Sequence, residues 1–188
     1  MTMKTMVLGA VAVAAATAFG ELKIGTVDMM TLVRNHSRYE SDKKLLTDTE
    51  KDYQRKLDEM KSNLESIQDE GKAIADKGRN PMLGQAAKDK IEKELIDVQN
   101  RYIQGQQKLR AEAMESQQKL QELEGRLMRA TTEELRKTIN GFAEKNGYDL
   151  ILESTVAAFA KPSLNVTDAI LKEMGVDPKE AKKKDESK

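Results

Sequence analysis

Between Tyr39 and Asn146 apolar residues recur at steps of three and four among Lys, Glu, Gln and Asp. Such spacing keeps one narrow apolar seam on a single side of a helix, as in a coiled coil. The pattern is interrupted once, at residues 78–81, where Gly78 favours a helix end and Pro81 suits the first position of a new helix. We therefore predict an antiparallel hairpin of two long helices with its tip near residues 78–81.

Each predicted arm carries its own seam, with steps that alternate between four and three. The first arm's seam comprises Tyr53, Leu57, Met60, Leu64, Ile67, Gly71 and Ile74. The second arm's seam comprises Ile91, Leu95, Val98, Tyr102, Gly105 and Leu109, then Ala113, Ser116, Leu120, Leu123, Leu127 and Ala130. Joining the two runs of the second arm through Leu109 and Ala113 requires successive steps of four, a stutter that locally unwinds a supercoil.

The seam also contains glycine, at positions 71 and 105. Glycine within a helix costs about 1 kcal/mol relative to alanine. This indicates either a marginal, bendable arm or a place where two helices approach closely. At 1.5 Å per residue, an arm of about forty residues would reach roughly 60 Å, so the hairpin must project into solvent.

The segments that flank the hairpin have strand patterns. Residues 22–27 alternate apolar and polar side chains, and residues 148–153 and 156–160 are short apolar runs separated by a Ser-Thr turn. Residues 164–166 offer a further short strand. We expect these strands to form a small body made of residues 21–38 and 147–175.

Short helices complete the predicted body. Asp28 is placed to cap a helix that begins at Met29, and residues 167–168 (Thr-Asp) are placed to cap a helix over residues 169–174 that Gly175 ends. Residues 176–188 are predicted to be a disordered tail. The fold class is therefore α+β and mostly helical, a long coiled-coil hairpin projecting from a small β-stranded body.

The predicted body has fewer than fifty residues and no cysteine. A body of that size rarely supplies a sufficient core without disulfides or a metal, and its strand edges would be exposed. We therefore expect it to oligomerise. The apolar residues expected to make the contacts are Ile24, Val27, Leu150, Ile151, Leu152 and Phe159.

The first twenty residues differ from the rest and predict a signal peptide. Residues 1–4 give a short positively charged start, residues 6–16 are an apolar run too short to span a bilayer, and Ala16 and Ala18 form a cleavage pattern. We expect cleavage after Ala18 or after Gly20 and export from the cytoplasm. The alternative is a membrane-anchoring or buried amino-terminal helix.

The amino-acid composition adds arguments against nucleic-acid binding and against enzymatic activity. Charged residues make up 34% of the chain against an average near 25%, and 32 basic residues balance 32 acidic ones, which gives no footprint for nucleic acid. With His36 the single histidine and no cysteine, we find no metal, cofactor or nucleophile constellation, and we predict that the protein is not an enzyme.

Some methionines are candidates for contact with apolar partners, because the thioether side chain adapts to varied shapes. Met82 lies near the predicted hairpin tip, and Met114 lies off the seam. Together with Leu83 they are the predicted contacts of the hairpin with such partners.

Two blocks outside the hairpin carry a family resemblance. Residues 23–29 (KIGTVDM) open the mature chain, and residues 146–152 (NGYDLIL) with 165–170 (NVTDAI) close it. With the signal peptide and the charged hairpin, they make the chain resemble the Skp/OmpH family of periplasmic chaperones over essentially its whole mature length.

The resemblance implies a homotrimer in which each chain adds strands to a central trimerisation body and sends one hairpin outward. It further implies that the arms hold unfolded outer-membrane proteins in the periplasm without nucleotide. The best-known family members are strongly basic, whereas this chain is neutral, so electrostatic capture of clients and contact with a membrane are expected to be weaker here. The alternative function is a structural or scaffold coiled coil of the cell envelope.

Overall fold

A computed structural model describes residues 22–186, and the predicted signal peptide lies outside the described residues. In chain order the elements are β1 (Ile24–Val27), α1 (Met29–Arg34), α2 (Tyr39–Gly78), α3 (Gln85–Asn146), β2 (Leu150–Glu153), α4 (Thr167–Glu173) and α5 (Pro178–Glu186), with single 3-10 turns at Ser154–Val156 and Pro162–Leu164. Helices α2 and α3 pack against each other as the predicted hairpin, and the fold class is confirmed.

The hairpin begins at Tyr39 and ends at Asn146, as the periodicity predicts, but its tip differs. Helix α3 begins at Gln85, so the expectation that Pro81 opens it is wrong. The Asn80 side chain accepts a hydrogen bond from the Met82 backbone N–H at 3.0 Å, and the Asn80 carbonyl accepts one from the Leu83 N–H at 3.3 Å. These bonds hold residues 79–84 as a turn before the helix begins.

The stutter in α3 lies further along the helix than its apolar spacing predicts. Ala113 is exposed, so its assignment to the seam is wrong, and Glu112 lies in the seam instead, with its side chain 19% exposed. The Glu112 carboxylate is 2.7 Å from Lys56 Nζ on α2 and accepts a 3.4 Å hydrogen bond from the Ser116 hydroxyl. Apolar spacing alone misses a seam position that is filled by a paired charge.

The seam glycines mark close approach of the two helices. A Cβ placed on Gly105 would lie 2.6 Å from Leu64 Cδ2, and one placed on Gly71 would lie 3.1 Å from Val98 Cγ1. Leu64 and Val98 are both buried. Each glycine therefore makes room for a large side chain of the opposite helix, which favours close packing over a bendable arm.

The core lies at the root of the hairpin, where the last turns of α3 meet the flanking segments. Its buried members are Val27, Leu32, Val33, Leu135, Ile139, Phe142, Val166, Ile170, Leu171 and Ala181. The Phe142 and Tyr148 rings stack at 5.7 Å between centroids. Three α3 residues in this core, Leu135, Ile139 and Phe142, fix the arm to the body.

The sheet has two parallel strands, with Ile24 opposite Leu150, and the whole hairpin is the crossover between them. Thr26 of β1 also bridges to Asn165, and its carbonyl accepts a 2.8 Å hydrogen bond from the Val166 N–H. Strand β1 is therefore flanked on both sides, whereas β2 has one edge without a partner among the described residues.

Two strands expected near the carboxyl end do not form. Val156 ends a 3-10 turn, and residues 157–160 form no strand and pair with no described strand, so this prediction is wrong. Residues 164–166 form no strand and contribute only the bridge at Asn165 and the Val166 hydrogen bond to Thr26. A strand needs a neighbour for its backbone hydrogen bonds, and residues 22–186 of the single chain supply none here.

The carboxyl-terminal segment is more helical than expected. Helix α4 begins at Thr167, before the predicted start, and Gly175, the predicted end of the helix, follows it with a left-handed backbone at φ 77°. Residues 178–186 form α5, so the prediction of a disordered tail is wrong for them. Ala181 is fully buried against the core, and Lys182 Nζ lies 2.7 Å from the Asp168 carboxylate.

Asp28 is the predicted helix cap, and this assignment is confirmed. Its carboxylate accepts hydrogen bonds from the Thr31 N–H at 3.0 Å and from the Thr31 hydroxyl at 2.9 Å. The Asp28 N–H in turn donates to the Thr167 hydroxyl at 2.9 Å. This one residue therefore joins β1, α1 and α4.

The packing role of the seam glycines can be tested with paired alanine substitutions in α3. We expect Gly141→Ala to raise the free energy of unfolding by about 0.5–1 kcal/mol, because this exposed site has open space and alanine favours helix. Gly105→Ala should instead lower it by about 1 kcal/mol, since the new methyl overpacks Leu64. Urea unfolding followed by circular dichroism measures both; an equal rise for the two variants would contradict close packing at Gly105.

The position of the seam at the stutter can be tested with adjacent leucine substitutions. Glu112→Leu should raise the free energy of unfolding by about 1 kcal/mol, because it adds apolar surface to the seam while Lys56 stays solvated. Ala113→Leu should leave it nearly unchanged, since residue 113 is exposed. Urea unfolding at one fixed protein concentration compares them, and the opposite ranking would place residue 113 in the seam.

Candidate functional site: uncovered apolar surfaces of the body and arm

The two faces of the sheet differ in what covers them. On the inner face, Val27 is buried and Ile151 packs against the core. On the outer face, Ile24, Leu150 and Leu152 are between 37% and 45% exposed, and Ile24 is directly opposite Leu150. A two-stranded sheet with one uncovered apolar face is marginal as an isolated unit.

The exposed apolar surface of the body extends beyond the strands. Leu22 precedes β1, and Val156 and Phe159 follow β2, and all three side chains are more than two thirds exposed. Strand β2, which has the unpaired edge, directly precedes the segment that carries Val156 and Phe159. Exposed apolar side chains with an open strand edge are typical of a protein surface that binds another chain.

The structure separates the predicted oligomer contacts into two groups. Ile24, Leu150, Leu152 and Phe159 are exposed and available to another chain. Val27 and Ile151 pack within the core of the single chain. Alternation along a strand puts successive side chains on opposite faces, so a contiguous apolar run such as 150–152 includes both kinds.

The predicted client contacts lie far apart. Met82 is at the hairpin tip and is 90% exposed, whereas Leu83 beside it is half-buried. Met114 is exposed on the middle of α3, thirty residues from Gly84 and therefore about 45 Å from the tip. The hairpin thus presents separate apolar points rather than one pocket.

Sequence reasoning missed other exposed apolar residues on α3. Ile96, Ile103 and Met128 are exposed on the side of the helix that also carries Met114. They do not belong to the seam. A helical-wheel projection of residues 96–132 would have shown them together on the side of the helix away from the seam. These residues make the outer surface of α3 a second candidate for contact with other molecules.

An apolar groove of about 390 Å³ lies at the root of the hairpin, between α1, α2 and α3. Its apolar lining comprises Met30, Val33, Tyr39, Leu46, Leu127 and Met128. Nearby, His36 Nε2 lies 3.3 Å from the Glu134 carboxylate and links the start of the arm to α3.

An exposed ion pair links the two helices in the outer half of the hairpin. Arg101 on α3 donates to Glu70 on α2 at 2.7 Å and to Asp97 at 2.9 Å. The hydrogen bond from Arg101 lowers the pKa of Glu70, and burial opposes this effect. These groups are solvent-exposed, and they pair with each other rather than converging on a cleft where a reaction could occur.

Within residues 22–186 no group of three or more His, Cys, Asp or Glu side chains is arranged to hold a metal ion. The helices over the same residues include none with the length and apolar character required to cross a bilayer.

Comparisons with known proteins agree with this architecture. The profile of the OmpH family, described as outer membrane protein (OmpH-like), matches residues 23–174. No curated protein matches the chain in sequence. A solved structure of a candidate outer membrane chaperone (OmpH-like) from Caulobacter crescentus CB15 has a TM-score of 0.56 and 14% identity, and the match covers 93% of this chain and 90% of that chain. At that identity the likeness shows the fold.

Proposed function

The chain belongs to the OmpH-like family, and from this premise we propose that it is a periplasmic chaperone that holds unfolded outer-membrane β-barrel proteins without nucleotide. The observation that carries the proposal is the combination of a long projecting hairpin with an undersized body whose apolar outer face is uncovered. The related fold from Caulobacter crescentus CB15, described as a candidate outer membrane chaperone, supports the same role.

The body is proposed to join three chains. The outer sheet face, the open edge of β2 and the exposed Phe159 offer apolar surface and unpaired backbone groups at one end of the molecule. Strands added from other chains would pair the unpaired backbone groups of β2 and would also cover the exposed apolar surface. Three chains joined in this way would point their hairpins to one side and enclose a space.

The arms are proposed to hold the client by many weak contacts. Helix α2 has 40 residues and so reaches about 60 Å, and the exposed apolar points along the hairpin are separated rather than clustered. Several weak contacts from arms tethered to one body reinforce each other through effective concentration. A client can then be retained without a specific pocket and released without nucleotide.

The holdase activity is tested by mixing the purified chain, without its signal peptide, with a urea-unfolded outer-membrane barrel protein. We expect suppressed aggregation in light scattering and a soluble complex in gel filtration, with ATP having no effect. A stably folded soluble protein serves as the control and should not be bound. Selective capture of one folded envelope protein with no effect on the unfolded client would instead favour a structural scaffold.

The assembly is tested by sedimentation with a matched pair of variants. Wild-type protein should sediment as three chains at micromolar concentration. Leu150→Gln should raise the protein concentration at which the trimer dissociates by about tenfold or more, because each proposed interface loses a buried apolar side chain. Leu45→Gln is the control, since Leu45 is 47% exposed against 45% for Leu150 but lies on α2. A stable folded monomer in the wild type would contradict the trimer.

A further inference from the structure

Helix α3 carries a nearly uncharged stripe along its outer side. We use the name outer stripe for the eleven positions of residues 96–132 that lie within about 40° of Ile96 on the helical wheel. They are Ile96, Asn100, Ile103, Gln107, Arg110, Met114, Gln118, Gln121, Gly125, Met128 and Thr132. The stripe is about 150° from the seam, so most of it faces away from α2, and nine of its eleven side chains are exposed. Met128, at the edge of the stripe, also lines the groove at the root of the hairpin.

The corresponding face of α2 has the opposite character. Nine positions lie opposite the α2 seam, namely Glu40, Lys44, Lys51, Arg55, Asp58, Ser62, Asp69, Ala73 and Asp76. Seven of these nine are charged, whereas Arg110 is the one charged residue of the eleven in the outer stripe. Solvation favours a polar or charged outer face, so it does not account for the four exposed apolar side chains of the stripe.

The apolar members of the stripe are isolated from one another. Ile96, Ile103, Met114 and Met128 are between 42% and 74% exposed. Their separations of 7, 11 and 14 residues correspond to about 10, 16 and 21 Å along the helix. Between them lie the amides of asparagine and glutamine, which both donate and accept hydrogen bonds.

This pattern does not suit another helix or a folded partner. A second coiled-coil seam through the stripe would use ten positions between residues 96 and 128. Six of these are polar, namely Asn100, Gln107, Arg110, Gln117, Gln121 and Glu124. A folded partner, in turn, requires a contiguous apolar centre, which points 10–20 Å apart do not provide.

We propose that the outer stripe is the surface through which each arm binds an unfolded polypeptide, while the charged face of α2 remains in solvent. The proposal rests on the holdase function given above. The ligand is an extended chain with unpaired backbone amides and occasional large apolar side chains. Stripe amides hydrogen-bond the backbone, and the isoleucine and methionine side chains receive the apolar groups. Binding through the stripe depends little on salt, because its contacts are largely uncharged.

Site-specific crosslinking tests which helix touches the client. The chain has no cysteine, so single cysteines with a photoreactive maleimide report one position each. Ile103→Cys and Met114→Cys lie in the stripe, and Ser62→Cys and Arg55→Cys are the matched sites on α2. With an unfolded outer-membrane barrel protein bound, we expect strong crosslinks from the stripe and several-fold weaker ones from α2. Equal crosslinking from both helices overturns the proposal and leaves the holdase function standing.

Affinity measurements provide a second, independent test. The chain has no tryptophan, so tryptophan fluorescence of the client reports binding without background. The triple variant Ile96→Gln, Ile103→Gln, Met114→Gln should weaken binding by about tenfold at both low and high salt, through lost apolar contact. Leu45→Gln, on α2, should change it less than threefold, and circular dichroism confirms helicity. Unchanged affinity of the triple variant overturns the proposal, and no binding by the wild type overturns the holdase function as well.

Discussion

Leu135, Ile139 and Phe142 pack near the end of α3 against residues that come from both sides of the hairpin in the chain, including Leu32 before it and Ile170 after it. Every other feature depends on this contact, because it is where the arm, the sheet and the carboxyl-terminal helices meet. Beyond it, the two long helices hold each other by one narrow seam. Several apolar side chains of the body, such as Leu150 and Phe159, face outward, because the described residues provide no further layer to cover them.

The seam is built differently in its two parts. Toward the tip, glycine at 71 and 105 admits Val98 and Leu64, which brings the helices close and fixes their register. Toward the root, Glu112 interrupts the apolar layers and pairs with Lys56. An ion pair held in a seam adds little stability but disfavours other registers, because a shifted helix would leave the carboxylate without its cation. The arm is therefore specified in register along its length rather than being uniformly loose.

The sequence determines the hairpin bounds well, because a seam repeated over many turns overrides local ambiguity, and Tyr39 and Asn146 come out as the ends. The sequence-based prediction fails where contacts with another segment decide the structure.

Val156 and Phe159 have strand propensity, but a strand also needs a neighbour. Ala181 is the sole apolar residue of α5, so nothing in a lysine-rich tail indicates that it is buried. Glu112 was missed for the same reason, since its cation comes from α2. The outer face of the sheet was predictable only in part. Ile24 and Val27 are both branched apolar residues of β1, so residue type does not tell which of them is exposed and which is buried.

A hairpin with little net charge cannot rely on long-range electrostatic attraction to hold an unfolded chain. Short-range contacts of its surface side chains must hold the chain instead. Charge alone would make both outer faces alike, yet seven of nine positions on the outer face of α2 are charged and one of eleven on the outer stripe is. The amides between the stripe's apolar residues have a second consequence. If those positions were also apolar, the stripe would become a coiled-coil seam, and neighbouring arms would bind each other instead of a client. Spacing isoleucine and methionine among glutamines therefore keeps the arms apart while leaving each one able to make weak, repeated contacts along an extended chain.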